Sequence, residues 1–274
     1  MPAVPSPLPE FDKPPVSEVA LSVEFSALEN WRGPHAGLYW ATIQKEYPNT
    51  EVRPPLPSQI EGFGESVWQR PSFRLELASP DVNRFWFLSD PPTKLIQVQR
   101  DRFVINWRKV KGDEIYPRYF KEMRPRFERE WKGFKDFIAV QKIGVVSPQQ
   151  CEVTYVNDIL KDEEWKSFDE SLDLFAPWWK KGSDGFLPPP ENLALSGSFT
   201  FQDQIGRLHF VVQRTIRGID NKEAVQFQLI ARGKPSSEND VDLLKWMDLG
   251  HEWIVRGFTD LTSNHAHKLW GRKS

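Results

Sequence analysis

The sequence predicts an α+β protein: antiparallel sheet with long helices packed on one face. Three observations predict it. Short segments alternate apolar and polar residues at the period of a strand. Two long segments repeat apolar residues every three or four positions, the stripe of an amphipathic helix. The order strand, helix, three or four strands, long helix occurs twice, giving two tandem β-α-β(3-4)-α halves of helix-grip-like form.

Residues 1–16, MPAVPSPLPEFDKPPV, hold six prolines, whose fixed φ and missing N–H forbid a helix, so they form an extended N-terminal arm. The first half spans 17–148. VSEVALSVEF, 16–25, sets Val19, Leu21, Val23 and Phe25 on one face of a strand, with Glu18, Ala20, Ser22 and Glu24 on the other. Leu38, Tyr39, Ile43 and Tyr47 fall at helical spacing, and the proline-rich VRPPLPSQIEGFGE then reads as a long loop. SFRLELA (72–78), RFWFLSD (84–90), KLIQVQR (94–100) and RFVINWRKV (102–110) read as four strands whose short linkers favour an antiparallel meander. Phe120, Met123, Phe127, Trp131, Phe134 and Ile138 then make a helix stripe, with Pro125 kinking the helix or marking where its regular part begins.

The second half, 149–274, repeats the pattern. CEVTYVNDI (151–159) is a strand, EEWKSFDESLDLFAPWW is helical, and GSDGFLPPP is a loop. LALSGSFTF, RLHFVVQRTI and AVQFQLIAR read as three strands. Leu243, Met247, Gly250, Ile254, Phe258 and Leu261 form the stripe of a last helix, with Asp240 as its candidate N-cap. Pairing the two sheets edge to edge removes exposed edge strands.

A chain of 274 residues with 12 Trp and 19 Phe has ample apolar surface to fold. Its net charge of −2 gives no global attraction to nucleic acid or anionic membrane, so such a partner requires a local basic patch. The single cysteine, Cys151, allows no intrachain disulfide and suits a reducing compartment. No signal-peptide pattern or long apolar run occurs, and the expected location is the cytoplasm.

The segments PPVSEVALSVEF, RFWFLS, LIQVQRDRFVINWRK, YPRYFKEMRPRFEREWKGF and CEVTYVNDI occur in one order. Together they resemble a sporadically distributed, functionally uncharacterised bacterial protein family of about this length. The resemblance covers most of the chain and is strongest over 14–158. It implies a bacterial setting of toxin–antitoxin, immunity or phage-defence type and brings no catalytic residues with it.

Nucleotide-binding glycine loops, the HExxH zinc motif and the GxSxG nucleophile elbow are absent from the sequence, and no cofactor or metal is expected. His265 and His267 are too few for a structural zinc site, and Cys151 reads as a small buried hydrophobe. His251 and Glu252 are neighbours on a helix and point about 100° apart, so they do not form an acid–base pair.

Gln97, Gln99, Asn106 and Arg108 fall opposite the apolar strand face, with Gln226 and Gln228 as their counterparts in the second half. Between Lys94 and Lys135 there are thirteen Lys/Arg against six Asp/Glu. Arg124 and Arg126 belong to this basic segment, which suits phosphate or an acidic partner if it is not simply solvated. These eight residues are the candidate partner or nucleic-acid surface. Tyr155, Asn157 and His209 are the candidate lining of a cavity between sheet and helix.

The reading from sequence is a non-catalytic interaction protein that binds another protein, with the product of a nearby gene as the candidate. The alternatives are nucleic-acid binding through the 94–135 segment and a small-ligand or enzymatic helix-grip domain.

Overall fold

A computed structural model describes residues 7–63, 83–176 and 194–273. The fold is mixed α+β. The strands are β1 (Glu10–Phe11), β2 (Val16–Phe25), β3 (Asn49–Arg53), β4 (Arg84–Leu88), β5 (Lys94–Gln99) and β6 (Arg102–Arg108). They continue with β7 (Pro148–Leu160), β8 (Ala194–Thr200), β9 (Gly206–Ile216), β10 (Glu223–Gly233) and β11 (Arg272–Lys273). The helices are α1 (Gly33–Ile43), α2 (Arg124–Val140), α3 (Phe168–Leu172), α4 (Asp240–Leu261) and α5 (Asn264–Leu269).

Among the described residues, nine strands form one antiparallel sheet in the order β3-β4-β5-β6-β2-β7-β10-β9-β8. The halves meet at β2 and β7, where Leu21 lies opposite Val153 and, across its other edge, opposite Ile105. Among the described residues a single hydrophobic cluster runs across the β2–β7 junction, so the strands on both sides of it share one core. β1 and β11 make a separate two-stranded pair that ties the N-terminal arm to the C-terminal end, in the register Glu10 with Lys273 and Phe11 with Arg272.

The apolar stripe of α2 meets the sheet through aromatic rings. Phe134 stacks on Phe103 of β6 at 5.0 Å and also touches Phe25, Trp31, Tyr39 and Trp131. α4 contacts β7, β10 and β9. Glycine lets it come close: a Cβ on Gly257 would sit 2.5 Å from Leu208 Cδ2.

Several sequence expectations change in detail. The helix expected through Phe120 opens with a π-turn, Tyr119–Met123, in which Met123 N–H bonds Arg118 O five residues back. The wider turn rotates the stripe, so Tyr119 is buried and Phe120 is 57% exposed. Regular α-helix starts at Arg124 with Pro125 in its first turn, where a missing N–H costs nothing. The N-cap of α4 is Asn239, whose side chain accepts from Asp242 N–H, and not Asp240, which pairs with Lys135. The edge strand β3, which has no apolar alternation and is exposed throughout, takes in Val52 and Arg53 from the start of the expected loop. The strand expected at 72–78 and the loop at 182–190 lie outside the described residues.

The loop after β3 has the largest structural consequence. Prolines 54, 55 and 57 keep residues 54–63 extended, and this strap crosses the sheet on the face bearing Gln99 and Glu24. Gln99 exchanges two hydrogen bonds with the backbone of Leu56, and Arg102 donates to Pro57 O. Ser58 bonds Glu24, and Gln150 exchanges bonds with Glu61 N–H and Gln59 O. Glu61 ends the crossing among Arg207, His209 and Arg232. The strap therefore touches β5, β6, β2, β7, β10 and β9.

Candidate functional site

The polar face expected to meet a partner is largely closed. Gln97, Gln99 and Asn106 are 6%, 2% and 3% exposed. The alternation of strand residues was read correctly, but an alternating face says nothing about what lies over it. Gln97 Nε2 donates to Asn106 Oδ1 at 2.7 Å, and Asn106 Nδ2 donates to Glu18. These side chains satisfy one another and the strap, as buried polar groups must.

Much of the basic segment is similarly engaged. Arg126 is buried on α2 and donates to Asn106 O at 2.7 Å. Arg124 pairs with Glu128 and Asp248, Arg129 with Glu46 and Glu130, Lys132 with Asp136, and Lys135 with Asp240. Arg102 pairs with Glu24, and Arg118 donates to Phe11 O. Arg108 stacks on Trp86 and donates to Pro92 O. Gln226 and Gln228 are only half-buried, and Gln226 donates to Asp158.

The apolar side of the sheet contains a cavity of about 600 Å³. Its floor is Val16, Tyr155, Asn157 and Leu229, and α4 contributes His251, Ile254, Val255 and Phe258. The arm from Pro7 to Phe11 and the segment Tyr116–Lys121 complete the wall. Of the three residues expected to line such a space, Tyr155 and Asn157 do. His209 does not: it follows Leu208 on the opposite face of β9 and bonds Glu61 under the strap.

Three polar side chains form a chain of hydrogen bonds in this cavity. Tyr116 Oη lies 2.6 Å from Tyr155 Oη, which lies 3.0 Å from His251 Nδ1. His251 Nε2 makes no hydrogen bond among the described residues. The ring of Tyr119 stacks on the imidazole, 3.9 Å between centroids and 6° between planes, while its hydroxyl donates to Asp248. Asn157 donates to Phe227 O, which fixes its amide.

Burial sets the protonation of this chain. It lowers the His251 pKa to about 3, so the imidazole is neutral at pH 7. It raises Tyr155 and Tyr116 well above the ordinary phenol range, so both hydroxyls keep their protons. In one tautomer the cavity meets an Nε2–H donor. In the other, the two bonds reverse, Nε2 accepts, and Tyr116 presents its own O–H.

Backbone strain sits beside the chain. Arg118 has φ 71° and ψ 142°, a conformation that an L side chain rarely adopts, and the π-turn follows at once. Together they turn Tyr116 and Tyr119 inward to Tyr155 and His251. Sequence reasoning passed over His251 and Tyr116. The signal for His251 was present: it lies four residues after Met247 and three before Ile254, so it falls on the apolar stripe.

Cys151 is buried, and desolvation raises its thiol pKa, which makes it a packing residue. His267 is buried against Thr262 and Thr259 O, whereas His265 is exposed. No group of three or more metal-ligating side chains occurs among the described residues, and no described helix is long and apolar enough to cross a membrane. No family model, curated protein or solved structure matches the chain.

Proposed function

We propose that the protein binds a small, neutral, mainly apolar molecule carrying a hydroxyl or carbonyl group, held between the sheet and α4. The observation that carries this reading is the Tyr116–Tyr155–His251 chain, which ends on an unpartnered ring nitrogen in a cavity of about 600 Å³. Its volume and its mixture of apolar walls with a few fixed polar groups suit a drug-sized ligand. Among the described residues His251 bonds no carboxylate that would stabilise an imidazolium, so the chain serves as a hydrogen-bond anchor and not as a base.

The same reading takes the chain as two helix-grip-like halves, 17–148 and 149–274, with α2 and α4 on a common face of the sheet. Leu21, opposite both Ile105 and Val153, supports this, since Phe103 in the Ile105 row packs on α2 and Val153 abuts Gly250 of α4. A cavity is then expected where a long helix spans its sheet and the core does not fill the gap. Gln97, Gln99 and Asn106 belong to the surface expected to meet a protein or nucleic-acid partner; with these buried, the cavity is the better-supported site.

Titration with N-phenyl-1-naphthylamine, a neutral apolar fluorophore with an N–H, tests the proposal. Wild type should give a saturable rise in emission. Val255→Trp, which fills the cavity, should weaken binding at least tenfold, and Tyr155→Phe by about fivefold, the worth of one hydrogen bond. Equal binding by wild type and a folded Val255→Trp variant would refute it.

A further inference from the structure

We propose a second binding site, for a chain of phosphates, built by Arg53, Arg84 and Arg108 around Trp86. It lies at the β3–β4 end of the sheet, far in the fold from α4. Arg53 and Arg84 stand directly opposite each other in the β3–β4 register. Like charges in that position destabilise a strand pair. The three guanidinium carbons lie 4.7, 5.4 and 5.5 Å from the Trp86 ring centroid.

The nearby carboxylates neutralise this cluster only in part. Glu51 pairs with Arg53, and Glu24 pairs with Arg102. Glu18 lies near Arg108 but receives its hydrogen bond from Asn106. Among the described residues Arg84 has no carboxylate partner. Its Nη1 and the Trp86 indole N–H both donate to Gln97 Oε1, at 2.8 and 3.0 Å, which holds the pair in place. Arg84 Nη2 and both Nη atoms of Arg108 make no hydrogen bond among the described residues. β3 is an edge strand exposed throughout, so solvent reaches the cluster.

Guanidinium forks match phosphate oxygens two at a time, which makes arginine the usual residue where several phosphates are read. Phe85 pairs with Val98 and Gln99 with Arg102, so Arg84 lies in the Arg102 row while Arg108 is six residues further along β6, and the two side chains reach Trp86 from separate anchors. Two guanidinium forks brought together from separate anchors suit neighbouring phosphates in a run better than a single ion. Such a run occurs in an oligophosphate and in a single-stranded nucleic acid, and the chemistry at the arginines is common to both.

The test uses the full chain with two probes, tripolyphosphate by calorimetry and a fluorescein-labelled twelve-residue oligothymidylate by anisotropy. Wild type should bind at least one of them, with affinity falling as salt rises. Arg84→Met and Arg108→Met should each weaken binding at least tenfold. Arg84→Lys, which keeps the charge and loses the fork, should fall between, and Lys132→Met on α2 should stay within about twofold. Oligothymidylate binding that tripolyphosphate does not displace would assign nucleic acid; tripolyphosphate binding alone would assign a free oligophosphate. Failure of both probes, or equal binding by wild type and by Arg84→Met and Arg108→Met variants of unchanged melting temperature, would overturn the site.

Discussion

On one face of the sheet, Phe103 and Ile105 of β6 are buried among aromatic rings and aliphatic side chains. On the other, Arg102 and Asn106 of the same strand are buried almost as deeply, with Glu24 and Gln99 beside them. Contact on the first face is non-directional, as where Phe103 stacks on Phe134 of α2, and a cavity remains where Tyr155 and His251 meet. The second is closed by a ten-residue strap, and most polar groups in the crossing find a stated partner. Directional bonding leaves little freedom in what can lie on that face, whereas apolar packing tolerates a gap. This difference explains why the ligand site is expected on the apolar side, although the polar side carries the more conspicuous chemistry in the sequence.

The comparison can be broken from either side. The largest effect should come from Phe134→Ala, which removes a ring touching five other aromatics. We expect a loss of about 3–5 kcal/mol in urea unfolding. Glu61→Ala should cost about 3 kcal/mol, because it removes the carboxylate partner of Arg207 and leaves Arg232 and His209 with fewer partners under the strap. A loss below about 1 kcal/mol would show that the strap is held by its backbone bonds alone.

The pH dependence of the two faces should also differ. Burial opposes ionisation of Glu61, but the His209 hydrogen bond and charge, with Arg207 and Arg232, outweigh it and hold the carboxyl below its usual range. Its contribution is therefore present above about pH 4.5 and lost as pH falls below that value. His251 acts earlier. Its folded pKa of about 3 lies below the unfolded value of 6.5, so the unfolded chain binds the extra proton between them and stability falls with pH across that window. Between pH 6.5 and 5, His251→Gln should lose less stability than wild type, the difference approaching about 1.4 kcal/mol per pH unit well below 6.5. Parallel curves for the two proteins would mean that His251 is already charged or solvated.

Strand and helix periods made the sheet, α2 and α4 legible, because burial of one face imposes those periods on the residues themselves. The strap was not legible as a lid. Its prolines announce an extended segment, and nothing local says which surface will accept the hydrogen bonds of Leu56, Gln59 and Glu61. Phe120 and Tyr119 exchanged roles because a π-turn shifts the stripe by a fraction of a turn that the residue pattern does not encode. Tyr155 and Asn157 could be placed on the inner face by alternation from Val153. Their partners could not, since Tyr116 and His251 reach Tyr155 across 39 and 96 residues of chain.

The most direct test of the cavity site is the ¹⁵N spectrum of histidine-labelled protein, with His251 assigned by its Gln variant, before and after saturation with N-phenyl-1-naphthylamine. The account requires a neutral His251 imidazole from pH 8 down to pH 5, with Nε2 the more strongly shifted nitrogen when the probe binds. A His251 resonance that titrates near pH 6.5, or that is untouched by saturating probe, would contradict it.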